Sequence, residues 1–197
     1  MIRKYLFIIF ALLSVTVYGQ TAQSVLDTTS KKLTGGGTYA NFTAVVEGNN
    51  VWGNIAIKGQ RFKITTGNAI TWYDGKTQWT YIQSTNEVNI SNPSAAQQQQ
   101  INPYHFINLY KKGYSSHLTK KGALYVITLK KTSGKGGITD AVIEINSKTY
   151  YPSHIKIKNE GKWNTFNISS IKKVNYNTSH FRFPKKGFEG AEVIDLR

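Results

Sequence analysis

Apolar and polar residues alternate with period two along most of the chain after Tyr39. Phe42, Ala44 and Val46 alternate within Tyr39 to Glu47, and Val51, Gly53, Ile55 and Ile57 within Val51 to Lys58. Phe62 and Ile64 do so within Arg61 to Thr66. Successive side chains of a β-strand point to opposite faces, so each stretch reads as a strand with one buried face. Gly48-Asn49-Asn50 and Gly59-Gln60 supply turns between them. Short strands joined by tight turns, with no helix between, predict an antiparallel meander.

The densest stretch is Ile70 to Tyr81. Asp74-Gly75 predicts a type I′ hairpin, in which Trp72 pairs with Thr77 and Ile70 with Trp79. Ile70, Trp72, Trp79 and Tyr81 then line one face, and Thr71, Gln78 and Thr80 the other. Two of the four tryptophans share that face, which needs a cover: a core, a partner or an apolar ligand.

The pattern changes twice. Val25, Leu26, Thr29 and Leu33 have helical spacing in Gln20 to Leu33, and Gly35-Gly36-Gly37 ends that helix. Alternation stops again at Asn92-Pro93. Up to Tyr114 the chain holds an Ala-Gln run and then Phe106, Ile107, Leu109 and Tyr110 at helical spacing. This segment reads as one or two short amphipathic helices, or as a loop over the polyglutamine. Strands resume at Ala123 to Lys131 and continue through Ala141 to Ile145, Ile155 to Ile157 and Trp163 to Lys173. A short strand at Phe181 to Phe183 stops at Pro184, and Val193 to Leu196 closes the series. About ten to eleven antiparallel strands with a helix-covered face predict an incomplete, half-open barrel, because so large a sheet curls.

Composition narrows the function. Residues 1–19 carry Arg3 and Lys4 ahead of an apolar run from Tyr5 to Leu13, the layout of a secretory signal peptide cut near Gly19-Gln20. The remainder, 20–197, reads as a single domain. The chain has no cysteine, which excludes disulfides, thiol chemistry and lipid attachment at a cysteine. Export without disulfides leans towards a bacterial periplasm. Without Arg3 and Lys4 there are 23 basic residues against 10 acidic, a net charge of about +13. Export argues against nucleic acid, which leaves a solvated basic surface, an anionic membrane or an acidic partner.

Catalytic patterns are missing. There is no G-x-S-x-G elbow or phosphate-cradling loop, and His105, His117, His154 and His180 lack metal-ligand spacing. The chain therefore reads as a non-enzyme without cofactor or metal, although isolated carboxylates cannot be paired from sequence.

In order along the chain, Tyr39-x-x-Phe42-x-Ala44, Gly53-x-Ile55-x-Ile57-Lys58, Phe62-Lys63 and Asp74-Gly75-Lys76-Thr77-x-Trp79-x-Tyr81 stand before Asn86-Glu87-Val88 and Asn92-Pro93. Phe181-x-Phe183-Pro184, Gly187 and Val193-Ile194-Asp195 follow. This ordered set resembles the LolA family of periplasmic lipoprotein carriers. The resemblance implies a half-barrel whose apolar inner face receives lipoprotein acyl chains beneath a helical lid. It implies a cavity at Phe62, Ile64, Ile70, Trp72, Trp79 and Tyr81, and a lid at Ile101, Phe106, Leu109 and Tyr110. It also implies a monomer that loads from an inner-membrane lipoprotein-releasing transporter and unloads to an outer-membrane acceptor. One position departs from the family: an Arg-Pro pair that latches the lid is replaced by Gly59-Gln60. Two other readings stand beside the carrier. The same fold could hold another acylated lipid or sense mislocalised lipoprotein, or the chain could be a secreted, non-enzymatic structural or interaction module with a filled core.

Overall fold

The computed structural model describes residues 20–94, 97, 109–111, 113–134 and 137–197. One helix, α1 (Ala22–Thr34), precedes a meander of six strands: β1 (Thr38–Val46), β2 (Asn49–Lys58), β3 (Arg61–Thr66), β4 (Ala69–Tyr73), β5 (Gln78–Ile82) and β6 (Glu87–Ser91). A 3-10 turn at Leu109–Lys111 leads into a second meander, β7 (Tyr114–Lys121), β8 (Leu124–Lys131), β9 (Ile138–Asn146), β10 (Pro152–Asn159) and β11 (Lys162–Lys173). A 3-10 turn at Thr178–Phe181 and the final strand β12 (Glu192–Asp195) follow.

Among the described residues, all twelve strands form one sheet, in the order β12-β6-β5-β4-β3-β2-β1-β11-β10-β9-β8-β7. The two meanders meet where β1 pairs antiparallel with β11. The ends, β12 and β7, are not neighbours, so the sheet is open.

The amino end of α1 is fixed by a reciprocal cap. Ser24 N–H donates to Thr21 Oγ1 and Thr21 N–H donates to Ser24 Oγ, both at 3.1 Å. At the other end the Gly35 amide donates to the Lys31 carbonyl at 2.9 Å, before the left-handed Gly36 and Gly37 turn the chain away. Ala22, Val25, Leu26, Thr29 and Leu33 are buried on one side of the helix. That side packs on both β2 and β7. Six strand spacings separate these two in the sheet order. In a flat sheet they would stand about 29 Å apart, farther than the ~20 Å length of a helix this size. The sheet therefore curls around α1, which lies in its concave side.

The core follows from this arrangement. Ile127, Leu129, Ala141, Ile143, Ile145 and Ile155 are fully buried with Val25 and Leu26 of the helix. Their registers, Ile155 to Ile143 to Ile127 and Ala141 to Leu129, place them on one face of three adjacent strands.

Three expectations change. Tyr114–Lys121 is a full strand. Phe181 lies in the 3-10 turn rather than in a short strand, because the chain there wraps across the sheet instead of pairing with it. Finally, β12 runs parallel to β6, so the sheet is not wholly antiparallel.

Candidate functional site

Register decides which residues share a face. Phe42 pairs with Gly53 and Ile168, and Ala44 with Val51 and Phe166. Ile55 pairs with Ala40 and Ile64, and Ile57 with Thr38 and Phe62. Phe166 continues the row to Ile155. All lie on the face that holds α1, and together they make an apolar lining from β3 to β10. The helix covers only part of it. Phe42, Ile64, Ile157, Phe166 and Ile168 are packed against the core yet only partly buried. Gly53 sits among them: a Cβ there would collide with the Thr65 carbonyl oxygen and crowd the Phe42 ring at 3.1 Å. Glycine thus lets β3 and the Phe42 ring approach this part of the lining.

The tryptophan hairpin forms with a different register from the expected one. Trp72 pairs with Trp79, Ile70 with Tyr81 and Tyr73 with Gln78, a slip of two residues. The loop is closed by a side chain. Asp74 Oδ1 accepts the amides of Lys76 at 3.0 Å and Thr77 at 2.9 Å, and the Asp74 amide donates to the Thr77 carbonyl at 3.2 Å. Gly75 has positive φ and Asp74 does not, so this is an Asx-closed loop and not a type I′ turn. A slip of two keeps every side chain on its expected face.

The six expected cavity residues do not share one face. Phe62 pairs with Tyr73 and Ile64 with Thr71. Phe62 and Ile64 therefore point to the concave side with Tyr73, whose ring lies 5.2 Å from that of Phe62. Ile70, Trp72, Trp79 and Tyr81 point to the convex side. The carboxy-terminal segment covers part of that side. Trp72, fully buried, meets Phe183 at 5.5 Å and Phe188 at 5.6 Å, both edge-on, and Tyr81 meets Phe188 at 4.8 Å. The hairpin's aromatics are thus an anchor for the chain's own tail. Phe42, Ile157, Phe166 and Ile168 enter the concave lining although they are not among the expected cavity residues; the alternation of the strands carries that signal, but strand order is needed to bring them together.

Of the expected lid residues, Ile101 and Phe106 lie outside the described residues. Leu109 is buried against the core, and the Tyr110 hydroxyl donates to Asp27 of α1. Burial, together with the bond to Asp27 and its charge, pushes the Tyr110 hydroxyl well above the usual tyrosine range. The end of this segment is therefore tied to the helix. At Gly59-Gln60 the turn docks on α1: the Gly59 amide donates to the Thr34 carbonyl at 3.0 Å. Arg61, the nearest arginine, lies on the convex face with Lys63, as alternation from Phe62 requires.

Among the described residues no group of three or more His, Cys, Asp or Glu could hold a metal. No helix among them is long and apolar enough to cross a membrane.

The sequence model of a family described as "Outer membrane lipoprotein carrier protein LolA" matches residues 13–162. No curated protein matches the chain. Among solved structures, an uncharacterized conserved protein from Thermus thermophilus is similar over 89% of this chain and 99% of its own, with 17% identity and a TM-score of 0.62. A LolA superfamily protein from Nitrosomonas europaea is similar over 84% of this chain and 99% of its own, with 11% identity and a TM-score of 0.45.

Proposed function

The chain belongs to the LolA family of outer membrane lipoprotein carriers, and on that premise we propose that it is an exported periplasmic carrier that shields lipoprotein acyl chains on its concave face. The observation that carries this reading is the partly uncovered apolar lining of Phe42, Ile64, Ile157, Phe166 and Ile168 beside α1. Acyl chains need apolar area and few polar partners. Removing one methylene from water is worth about 0.8 kcal/mol, so a myristoyl-length chain gains about 11 kcal/mol on burial. A carrier that gripped several chains fully could not release them. A lining that shares its space with a resident helix, and so holds cargo less well than a bilayer does, suits transfer. Direction would come from partners: a releasing transporter in the inner membrane and an acceptor in the outer one.

The test is mass spectrometry of the protein recovered from its native periplasm. Co-purified triacylated lipoprotein supports the reading. Free lipid without lipoprotein replaces it with carriage of another acylated molecule, and recovery with neither cargo contradicts it.

A further inference from the structure

The convex side carries a cleft that the acyl-carrier reading does not use. It has a volume of about 480 Å³ and lies between the outer faces of β3 and β4 and the crossing segment 175–184. Its basic groups are Lys63, His180 and Arg182, and Asn175, Asn177 and Ser179 add polar side chains.

The charges in this cleft are not balanced. Lys63 Nζ sits 5.4 Å from the centre of the Trp72 ring and has no carboxylate partner among the described residues. Burial lowers the pKa of Lys63, and burial together with Lys63 lowers that of His180. The His180 ring is held in place, stacked 4.3 Å from Tyr176 and edge-on to Phe181 at 5.3 Å. One acid is close, Asp74, but both its oxygens are engaged: Oδ1 by two loop amides and Oδ2 by Arg182 Nε at 3.2 Å. The terminal nitrogens of Arg182 have no partner among the described residues. The side chains of Asn175, Asn177 and Ser179 make no hydrogen bond with the described residues. The surroundings add charge of the same sign. Lys58 Nζ reaches the Tyr176 carbonyl at 2.6 Å, Arg61 shares the outer face of β3, and Lys185-Lys186 follow Pro184.

Two basic groups partly stripped of water, with an arginine fork beside them and no free carboxylate, are a complement to an oxyanion. We propose that this cleft binds a phosphate ester, with Lys63, His180 and Arg182 as its donors. Such a group could arrive as a phospholipid headgroup or as a soluble phosphate compound. The proposal stands independently of what the concave face carries.

The test follows the His180 ring signals by NMR while the exported protein is titrated with inorganic phosphate. Saturable shifts are expected. Lys63→Gln should weaken binding about tenfold or more, the loss of one charge-assisted contact, while Lys63→Arg restores most of it. Lys156→Gln removes the same charge elsewhere on the convex face and should change little. Folding of each variant is read from its amide spectrum. Vesicles separate the two sources. Retention on phosphatidylglycerol vesicles but not phosphatidylcholine, competed by phosphate and lost in Lys63→Gln, assigns the site to a lipid headgroup. Phosphate binding without retention assigns it to a soluble phosphate. No saturable shift at His180, or equal binding by Lys63→Gln and Lys156→Gln, overturns the proposal.

Discussion

Asp74 makes three contacts with one carboxylate: two loop amides, which close the hairpin, and Arg182 of the crossing tail. Burial alone would raise its pKa. The Thr77 and Lys76 amides and the Arg182 guanidinium outweigh that and hold it below the usual 3.8. A carboxyl depressed on folding adds stability above its unfolded pKa, and that stability is lost as pH falls through the folded value. Asp74→Asn should therefore lower the urea midpoint at pH 7, by about 1–2 kcal/mol in stability, and the gap from wild type should shrink below about pH 4. A gap that stays constant down to pH 3 would contradict this role. Thr29 makes the opposite case. Its hydroxyl is buried in the concave core without a hydrogen-bond partner among the described residues. Thr29→Val keeps the shape and the β-branch, so it should raise stability by about 1 kcal/mol in a denaturant titration. Gly53→Ala should lower it by about 1–3 kcal/mol, because the Thr65 carbonyl must move.

Among the elements, the strands of the two meanders were largely legible, because one buried face imposes period two. Strand β7 was not. Only Tyr114 and Leu118 mark its inner face, and as an edge strand it needs few apolar residues. Facing across the β3–β4 loop was also out of reach. Thr65 pairs with Ile70, so the even-numbered Phe62 and Ile64 share a side with the odd-numbered Tyr73 and Thr71. A loop one residue longer or shorter would have reversed this, and no apolar pattern records it. The aromatic face of the hairpin was legible as needing a cover. That its cover is the tail depended on Phe183 and Phe188, whose partners lie more than 100 residues earlier in sequence. Phe188→Ala removes ring contacts with Trp72, Tyr81 and Phe183 at once. It should destabilise the protein by about 3 kcal/mol, measured by urea unfolding, and it should leave the proposed binding at the concave face unaffected.

For the whole molecule, the consequence is a division between two sides of one open sheet. The concave side holds α1 and an apolar lining that continues past it. The convex side holds the aromatic anchor of the tail and the basic cleft beneath it. The carriage of acyl chains proposed above belongs to the first side, and Trp79 lies on the second. A photo-crosslinking residue can replace Ile168 or Trp79 one at a time in the full chain, followed by irradiation in the native cells and identification of the adducts. The account predicts lipoprotein adducts at position 168 and none at position 79. Adducts at 79 with none at 168 would contradict it.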